Sequence, residues 1–292
     1  MTKILFATDL HAGPDMPPRN KSDVMLFGSQ ASVLLTRLLT YAKETDVTSV
    51  VLGGDESFYD PNPHTHHARA TGIFDIVRTC PVTIHRAIGN HDPIPALMDL
   101  GFRPKSYAAE FNEKSGALTR LVILQPDIGQ DNGKAIYAYD ADVAMNLIWG
   151  SSRADNTIVV SHWAFDRQTR GYPPIYQQST GYVYRDTLFS HMNDLPPRTV
   201  VLSGHEHRAN FKKSNACDPS ENTRHIVIPA MTQKSRARLT CPVGLFAELE
   251  TRPDNSPLRI SFKHIYHAKG ARYEIYPLPA GSVGQYSRPF IP

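Results

Sequence analysis

The chain opens with a continuously apolar run, Ile4, Leu5, Phe6 and Ala7, the signature of a strand buried on both faces. Over residues 29–45 the period changes. Ala31, Leu35, Leu38 and Ala42 recur at helical spacing, and Leu34 and Leu39 widen the stripe, so a helix packed on a sheet is predicted. A second buried strand follows over 48–52. Residues 56–65, with Pro61 and Pro63, read as a surface loop. A helix is predicted over 66–79, with Ile73, Phe74, Ile76 and Val77 facing inward, and Pro81 opens a third strand leading to a turn at Gly89. This is a β-α-β-α-β pattern. In open α/β sheets the carboxyl ends of such strands are where ligands collect.

The second half is richer in strands. They are expected over 106–111, 119–124, 157–160 and 199–202, with a helix over 140–149 that presents Val143, Leu147 and Ile148 on one side. A short helix is expected over 185–193. Three further apolar or alternating runs, 225–228, 243–250 and 258–266, are expected to close a second sheet. We find no internal repeat and no linker clear enough to divide the chain, so residues 1–275 read as a single domain. Residues 276–292, rich in Pro and Gly, read as an extended C-terminal arm or tail.

Chemistry-bearing side chains fall where strands stop. Five predicted strand ends carry, in order, Asp9 with His11, Asp55, Asn90 with His91, His162, and His205 with His207. Alternation along an extended strand would place Asp9 and His11 on one side, within reach of one ion. Any one of these ends is ordinary turn chemistry. All five together point to metal binding. A mixed set of carboxylate, amide and imidazole donors suits Mn²⁺, Fe²⁺, Ni²⁺ or Zn²⁺ better than an all-oxygen calcium cage.

Composition narrows the class. With 31 basic against 28 acidic residues, the net charge of +3 does not describe a protein that coats nucleic acid, though it leaves room for a local basic groove. Thirteen histidines is a high count for 292 residues and agrees with metal or phosphate chemistry. Cys80, Cys217 and Cys241 form no close pair, so neither a thiolate zinc site nor a disulfide framework is indicated. The apolar opening is too short for a signal-peptide core, and no stretch approaches the ~20 residues of a membrane span, so a cytoplasmic protein with no membrane partner is expected.

The order Asp-x-His (Asp9, His11), Gly-Asp (Asp55), Gly-Asn-His-Asp (Gly89 to Asp92), a lone His162 and Gly-His-x-His (Gly204 to His207) resembles the calcineurin-like metallophosphoesterase superfamily. The match spans residues 9–207. It implies an α/β fold, a four-layer α/β/β/α sandwich with two mixed β-sheets and the site at their shared edge. Motif by motif, it implies two divalent metal ions, Mn²⁺ first among Mn, Fe, Zn, Ni or Mg. One would be held by Asp9, His11 and His207 and the other by Asn90, His162 and His205, with Asp55 as the bridge. His91 would act as general acid or phosphate-positioning group. The implied reaction is hydrolysis of a phosphoester by in-line attack of a hydroxide activated by the metal pair.

The chain departs from the family in ways that matter. Many members carry an Asp that orients the catalytic His where this chain has Phe58, which leaves Asp60 or Asp92 as candidate replacements. Asp9-x-His11 in place of Asp-x-Gly, and Phe58 in place of a tyrosine ligand, argue against the purple-acid-phosphatase pattern. The Asp-Arg-Gly extension resembling protein Ser/Thr phosphatases is also absent. A small nucleotide-like phosphodiester or phosphomonoester is the expected substrate. The alternatives are a DNA exo- or endonuclease of the double-strand-break-repair type and a non-catalytic metal-binding scaffold. Candidate substrate contacts are His64 and His66, in the cluster 64–67, and Arg208, followed by Lys212 and Lys213; residues 233–238 are a similar basic cluster. Oligomeric state is not readable.

Overall fold

The fold is described from a computed structural model of the whole chain. The residues described are all except 18–24, 103, 114, 132–133, 164–174, 179–180, 185–194, 206, 208–209, 212–222, 235–241, 253–257, 269–271 and 278–292. The helix expected over 185–193, most of the expected arm, Arg208, Lys212, Lys213 and most of the 233–238 cluster lie outside them.

Two six-stranded mixed sheets face one another. In the first, Lys3–Ala7 pairs in parallel with Ser49–Leu52, which pairs in parallel with Thr83–Arg86. In the second, Asn156–Ser161 lies between Leu118–Ile123 and Thr199–Ser203, all parallel, with Thr223–Val227 beyond and Tyr107–Asn112 antiparallel at one edge. Alternation within each strand creates the layers. Ile4, Phe6 and Val51 meet Leu121, Ile123, Ile158, Val160, Val200 and Leu202 between the sheets. Leu5, Ala7, Val50 and Leu52 face the other way, onto Leu34, Leu35 and Leu38 of helix α1 (Ala31–Glu44) and Ile73 of helix α2 (Pro63–Arg78). After helix α3 (Ile94–Asp99), helix α4 (Ala141–Trp149) packs Ala144 and Ile148 against Val122, Val159 and Val201 on the outer face of the second sheet. Helix, sheet, sheet and helix therefore stack in the expected order.

Several expectations need correction. The runs expected at 243–250 and 258–266 do form strands, Leu245–Glu250 and Arg259–Ala268, but they join the first sheet. Leu245–Glu250 pairs antiparallel with Lys3–Ala7, Leu5 opposite Glu248, and covers an edge that would otherwise leave backbone groups unpaired. Helix α2 starts at Pro63, three residues before the expected start, because the Asn62 side chain accepts from the amides of His64 and Thr65 and a proline follows it. Residues 56–65 are not wholly a surface loop: Glu56 and Ser57 are buried. In α4, Val143 faces solvent and Ala144 takes its place on the inner face. A separate four-stranded sheet, ordered Ile175–Gln178, Gly181–Tyr184, Lys134–Ala138 and Asp127–Asp131, was not expected. The strand Arg272–Pro277 pairs with Arg259–Ala268 and runs through the expected boundary at residue 275.

Candidate metal centre

Three strands of the first sheet and two of the second end at one shared edge, and each delivers its side chains just past its last residue. The backbone does not continue as extended strand there. Among the described residues, seven that are not glycine have positive φ, and five of them are Asp9 (55°), His11 (46°), Asp55 (53°), His205 (66°) and His207 (50°). Left-handed backbone at such residues is uncommon and costs roughly 1–3 kcal/mol each where it is strained, so the surrounding packing must hold it. Asp9 and His11 do end up together, but by left-handed turns rather than strand alternation.

Cross-strand hydrogen bonds fix those turns. The Asp9 amide donates to the Gly54 carbonyl (3.0 Å) and the His11 amide to that of Asp55 (2.9 Å). Thr8 Oγ1 donates to Asp9 Oδ2 at 2.7 Å, and the His205 amide donates to the same oxygen at 2.9 Å. Close backbone approach is essential at two glycines. A Cβ at Gly89 would overlap the Asp55 carboxylate, and one at Gly204 would overlap Thr8 Oγ1 and Asp9 Oδ2.

Two donor groups result, each with its ligand atoms mutually within 4.8 Å: Asp9, His11, Asp55 and His207, and Asp55, His162 and His205. Asp55 belongs to both. Its Oδ2 lies 3.7 Å from His11 Nε2 and 3.4 Å from His162 Nε2. Asp9 Oδ1 stands 3.7 Å from His11 Nε2 and 3.3 Å from His207 Nε2, and the two imidazoles approach to 2.8 Å. Asn90 Oδ1 joins the second group at 3.3 Å from His162 Nε2, which is itself 3.2 Å from His205 Nδ1.

The donor set fits divalent cations. Asp9 Oδ1 is buried without a hydrogen-bond partner, which is costly unless a cation meets it. His162 donates from Nδ1 to the Gly53 carbonyl (2.8 Å), which turns Nε2 toward the cluster, where a cation would displace its proton and take the lone pair. Burial opposes ionisation of Asp9, yet the imidazoles of His11 and His207 hold its carboxyl well below the usual range. His162 is pulled the other way: despite burial, the Asp55 carboxylate raises it to about 9. Burial and the His162 charge push His205 well below its ordinary value.

His91 and Asp92 sit beside this cluster in different roles. The His91 amide donates to Asp55 Oδ1 (2.7 Å), while its ring lies 5.2 Å from that of His11 and stacks on Phe58 at 5.4 Å. Burial lowers its pKa to about 4 against the pull of Asp55, so the ring is neutral at pH 7. Both candidate orienting carboxylates are engaged elsewhere. Asp60 pairs with Arg69 at 2.7 Å. Asp92 accepts from the amides of Asp55 (2.9 Å), Glu56 (2.8 Å) and Gly89 (2.8 Å), so it builds the turn that presents Asp55. Burial, with the Glu56 and Asp55 carboxylates, pushes Asp92 up to about 7.

His64 is exposed at the first turn of α2, whereas His66 is buried and donates from Nε2 to the His91 carbonyl at 2.8 Å. Sequence reasoning missed several supporting residues. Gln125 accepts from the Ile88 amide (2.9 Å) and donates to the Arg86 carbonyl (2.6 Å), which clamps the strand end before Gly89. Trp163 packs edge-on against His162 at 4.9 Å. Glu56 forms a buried two-point ion pair with Arg86. Thr8 and Trp163 adjoin motif residues and were within reach of a reading by position, but Gln125 carries no local signal.

The model of the calcineurin-like phosphoesterase family matches residues 2–209. The chain belongs to the calcineurin-like phosphoesterases. No curated protein sequence matches it significantly. Among solved structures, a dimetal phosphatase from Danio rerio is similar over 94% of this chain and 98% of its own, with a TM-score of 0.56 and 14% identity. A purple acid phosphatase from yellow lupin (Lupinus luteus) seeds matches with a TM-score of 0.53 and 13% identity, over 94% of this chain and 52% of its own. An NAD nucleotidase from Haemophilus influenzae gives 0.51 and 11%, over 98% of this chain and 55% of its own. At these identities the likeness is one of fold. This member of the family contains no helix, among its described residues, long and apolar enough to cross a membrane.

Proposed function

We propose that this calcineurin-like phosphoesterase hydrolyses a small phosphorylated substrate, a nucleotide-like phosphodiester or phosphomonoester, with two divalent cations at the described cluster. One observation carries the reading: Asp55 Oδ2 faces His11 in one donor group and His162 in the other, which is what a carboxylate bridging two ions requires. Asp9, His11 and His207 would hold one cation and Asn90, His162 and His205 the other, with Mn²⁺ first among Mn, Fe, Zn, Ni or Mg. When bound, the pair would neutralise charge on phosphoryl oxygens and make water acidic enough to react at neutral pH.

The chain's own groups do the rest. His91 approaches the cluster from the His11 side, and its backbone amide pins Asp55. A ring held neutral at pH 7 is suited to positioning a phosphoryl oxygen. The negative charge of an arriving phosphate raises its proton affinity, so the ring takes up a proton from solvent and passes it to the leaving oxygen. Phe58 stacked on the imidazole and His66 on the His91 carbonyl restrict its freedom in place of the usual carboxylate. The proposed place of action is the cytoplasm.

The deciding assay uses Mn²⁺-loaded protein on bis-aryl phosphate, aryl phosphate, a cyclic nucleotide and single-stranded DNA across a salt series. Turnover of the small esters with weak salt dependence is expected. Cleavage of DNA with a steep loss of binding as salt rises would replace this reading with the nuclease one. No turnover of any substrate at full metal occupancy would leave a metal-binding scaffold.

A further inference from the structure

At the opposite end of the second sheet a cavity of about 340 Å³ is lined by Arg120, Trp149, Arg153, Asp155, Thr157 and Arg198, with Pro196 and Pro197 at its margin. It lies where strands Asn156–Ser161 and Thr199–Ser203 begin, whereas His162 and His205 follow where they stop. Thr157 and His162 are five positions apart, roughly 16 Å at the usual rise of a strand.

The cavity wall is built, not frayed. Arg120, only 1% exposed, donates to Glu110 and to the carbonyls of Ile148, Trp149 and Ser152. The chain wraps around that guanidinium at Gly150, where φ is +60° and a Cβ would collide with it. This holds the Trp149 indole at the rim, 48% exposed. Thr157 is fully buried, and its Oγ1 has no hydrogen-bond partner. The Arg120 guanidinium is taken up by Glu110 and those carbonyls, and Arg153 and Arg198 line the cavity with one carboxylate, Asp155, which accepts from the Leu118 amide at 2.8 Å.

We propose that this cavity is a second binding site, separate from the metal-ligand cluster, for a small phosphate ester carrying an aromatic ring, of the nucleoside monophosphate class. Guanidinium forks match phosphate oxygens in charge and geometry. An exposed indole offers a stacking face for a base, and such stacking contributes roughly 1–3 kcal/mol. The volume falls in the usual range for small-ligand pockets. The site does not depend on the proposed reaction.

The chain has two tryptophans, Trp149 at this rim and Trp163 beside the metal-ligand cluster, so fluorescence can tell the sites apart. The probe is the phosphonate analogue of AMP, which resists ester cleavage, added to Mn²⁺-loaded protein. Saturable quenching is expected in the wild type, and its Trp149-dependent phase should vanish in Trp149→Phe, leaving only what Trp163 reports from the metal-ligand cluster. Arg153→Ala and Arg198→Asn should each weaken binding about tenfold or more, and adenosine or inorganic phosphate alone should bind at least about tenfold more weakly. Thermal melts of each variant check folding, and Arg153, exposed at the surface, is the substitution safest for the fold. The proposal is overturned by an absence of quenching in the wild type, by quenching that is unchanged in extent and midpoint in Trp149→Phe, or by unchanged affinity of the Trp149-dependent phase in both arginine variants. Inorganic phosphate binding as tightly as the analogue overturns it too.

Discussion

The two ends of the second sheet treat buried polar groups in opposite ways. At the start of its strands, Arg120 is buried but has its donors taken up by Glu110 and three backbone carbonyls. At the finish, Asp9, Asp55 and four imidazoles face each other across gaps of 2.8–3.7 Å, and Asp9 Oδ1 has no hydrogen-bond donor. A closed network stabilises the fold by leaving nothing unpaired, whereas an open one is costly until something charged enters it. Backbone conformation separates the ends too: five ligand-edge residues are left-handed, and at the other end only Arg198 among the pocket's non-glycine residues is. Several strained turns converging on unmatched ligand atoms therefore mark where chemistry is expected, while burial alone does not.

The comparison is tested hardest at Asp55. Asp55→Asn should strip or scramble both metals and lower phosphoesterase turnover roughly 10³-fold or more. Elemental analysis beside steady-state kinetics reads both effects, and normal occupancy would rule out a bridging role. His91→Asn should divide them, leaving metal content intact while turnover falls roughly 10²–10⁴-fold. Equal metal loss in that variant would make His91 a ligand.

At the closed end the expected effect moves from activity to stability. Arg120→Met leaves Glu110 and three carbonyls without their partner, so denaturant unfolding should register a loss of about 3 kcal/mol while kcat stays within about twofold. A large fall in kcat at unchanged stability would mean the two ends are not independent. The smallest effect belongs to His85, between the sheets, where burial lowers the pKa and Nε2 has no hydrogen-bond partner. A depressed imidazole favours the neutral form, so its contribution is present above the unfolded value near 6.5 and is lost as pH falls through the folded value. Stability against pH should therefore drop below about pH 6.5 in the wild type and flatten in His85→Gln.

Family membership and the five-block order were legible because each block is local: a strand that runs apolar, then a stop with a carboxylate, amide or imidazole. Helix α1 and the strands of the second sheet were equally legible, since Leu34, Leu35 and Leu38 and the run Val159–Val160 announce their faces by period alone. What clamps the turns was not. Gln125 reaches residues 86 and 88 from the neighbouring sheet, and His66 reaches the His91 carbonyl across 25 positions. No periodicity encodes such contacts.

Which side chains stand at which strand ends was already written in the order of residues, because alternation and apolar runs are properties of chain neighbours. That Leu245–Glu250 returns to pair with Lys3–Ala7, that Asp92 takes three amides, and that Asp55 looks into both donor groups came from the packed fold alone. The reason is physical. Strand pairing and close approach at Gly89 and Gly204 depend on which surfaces are left uncovered once the layers stack, and that information is shared among residues far apart in the chain.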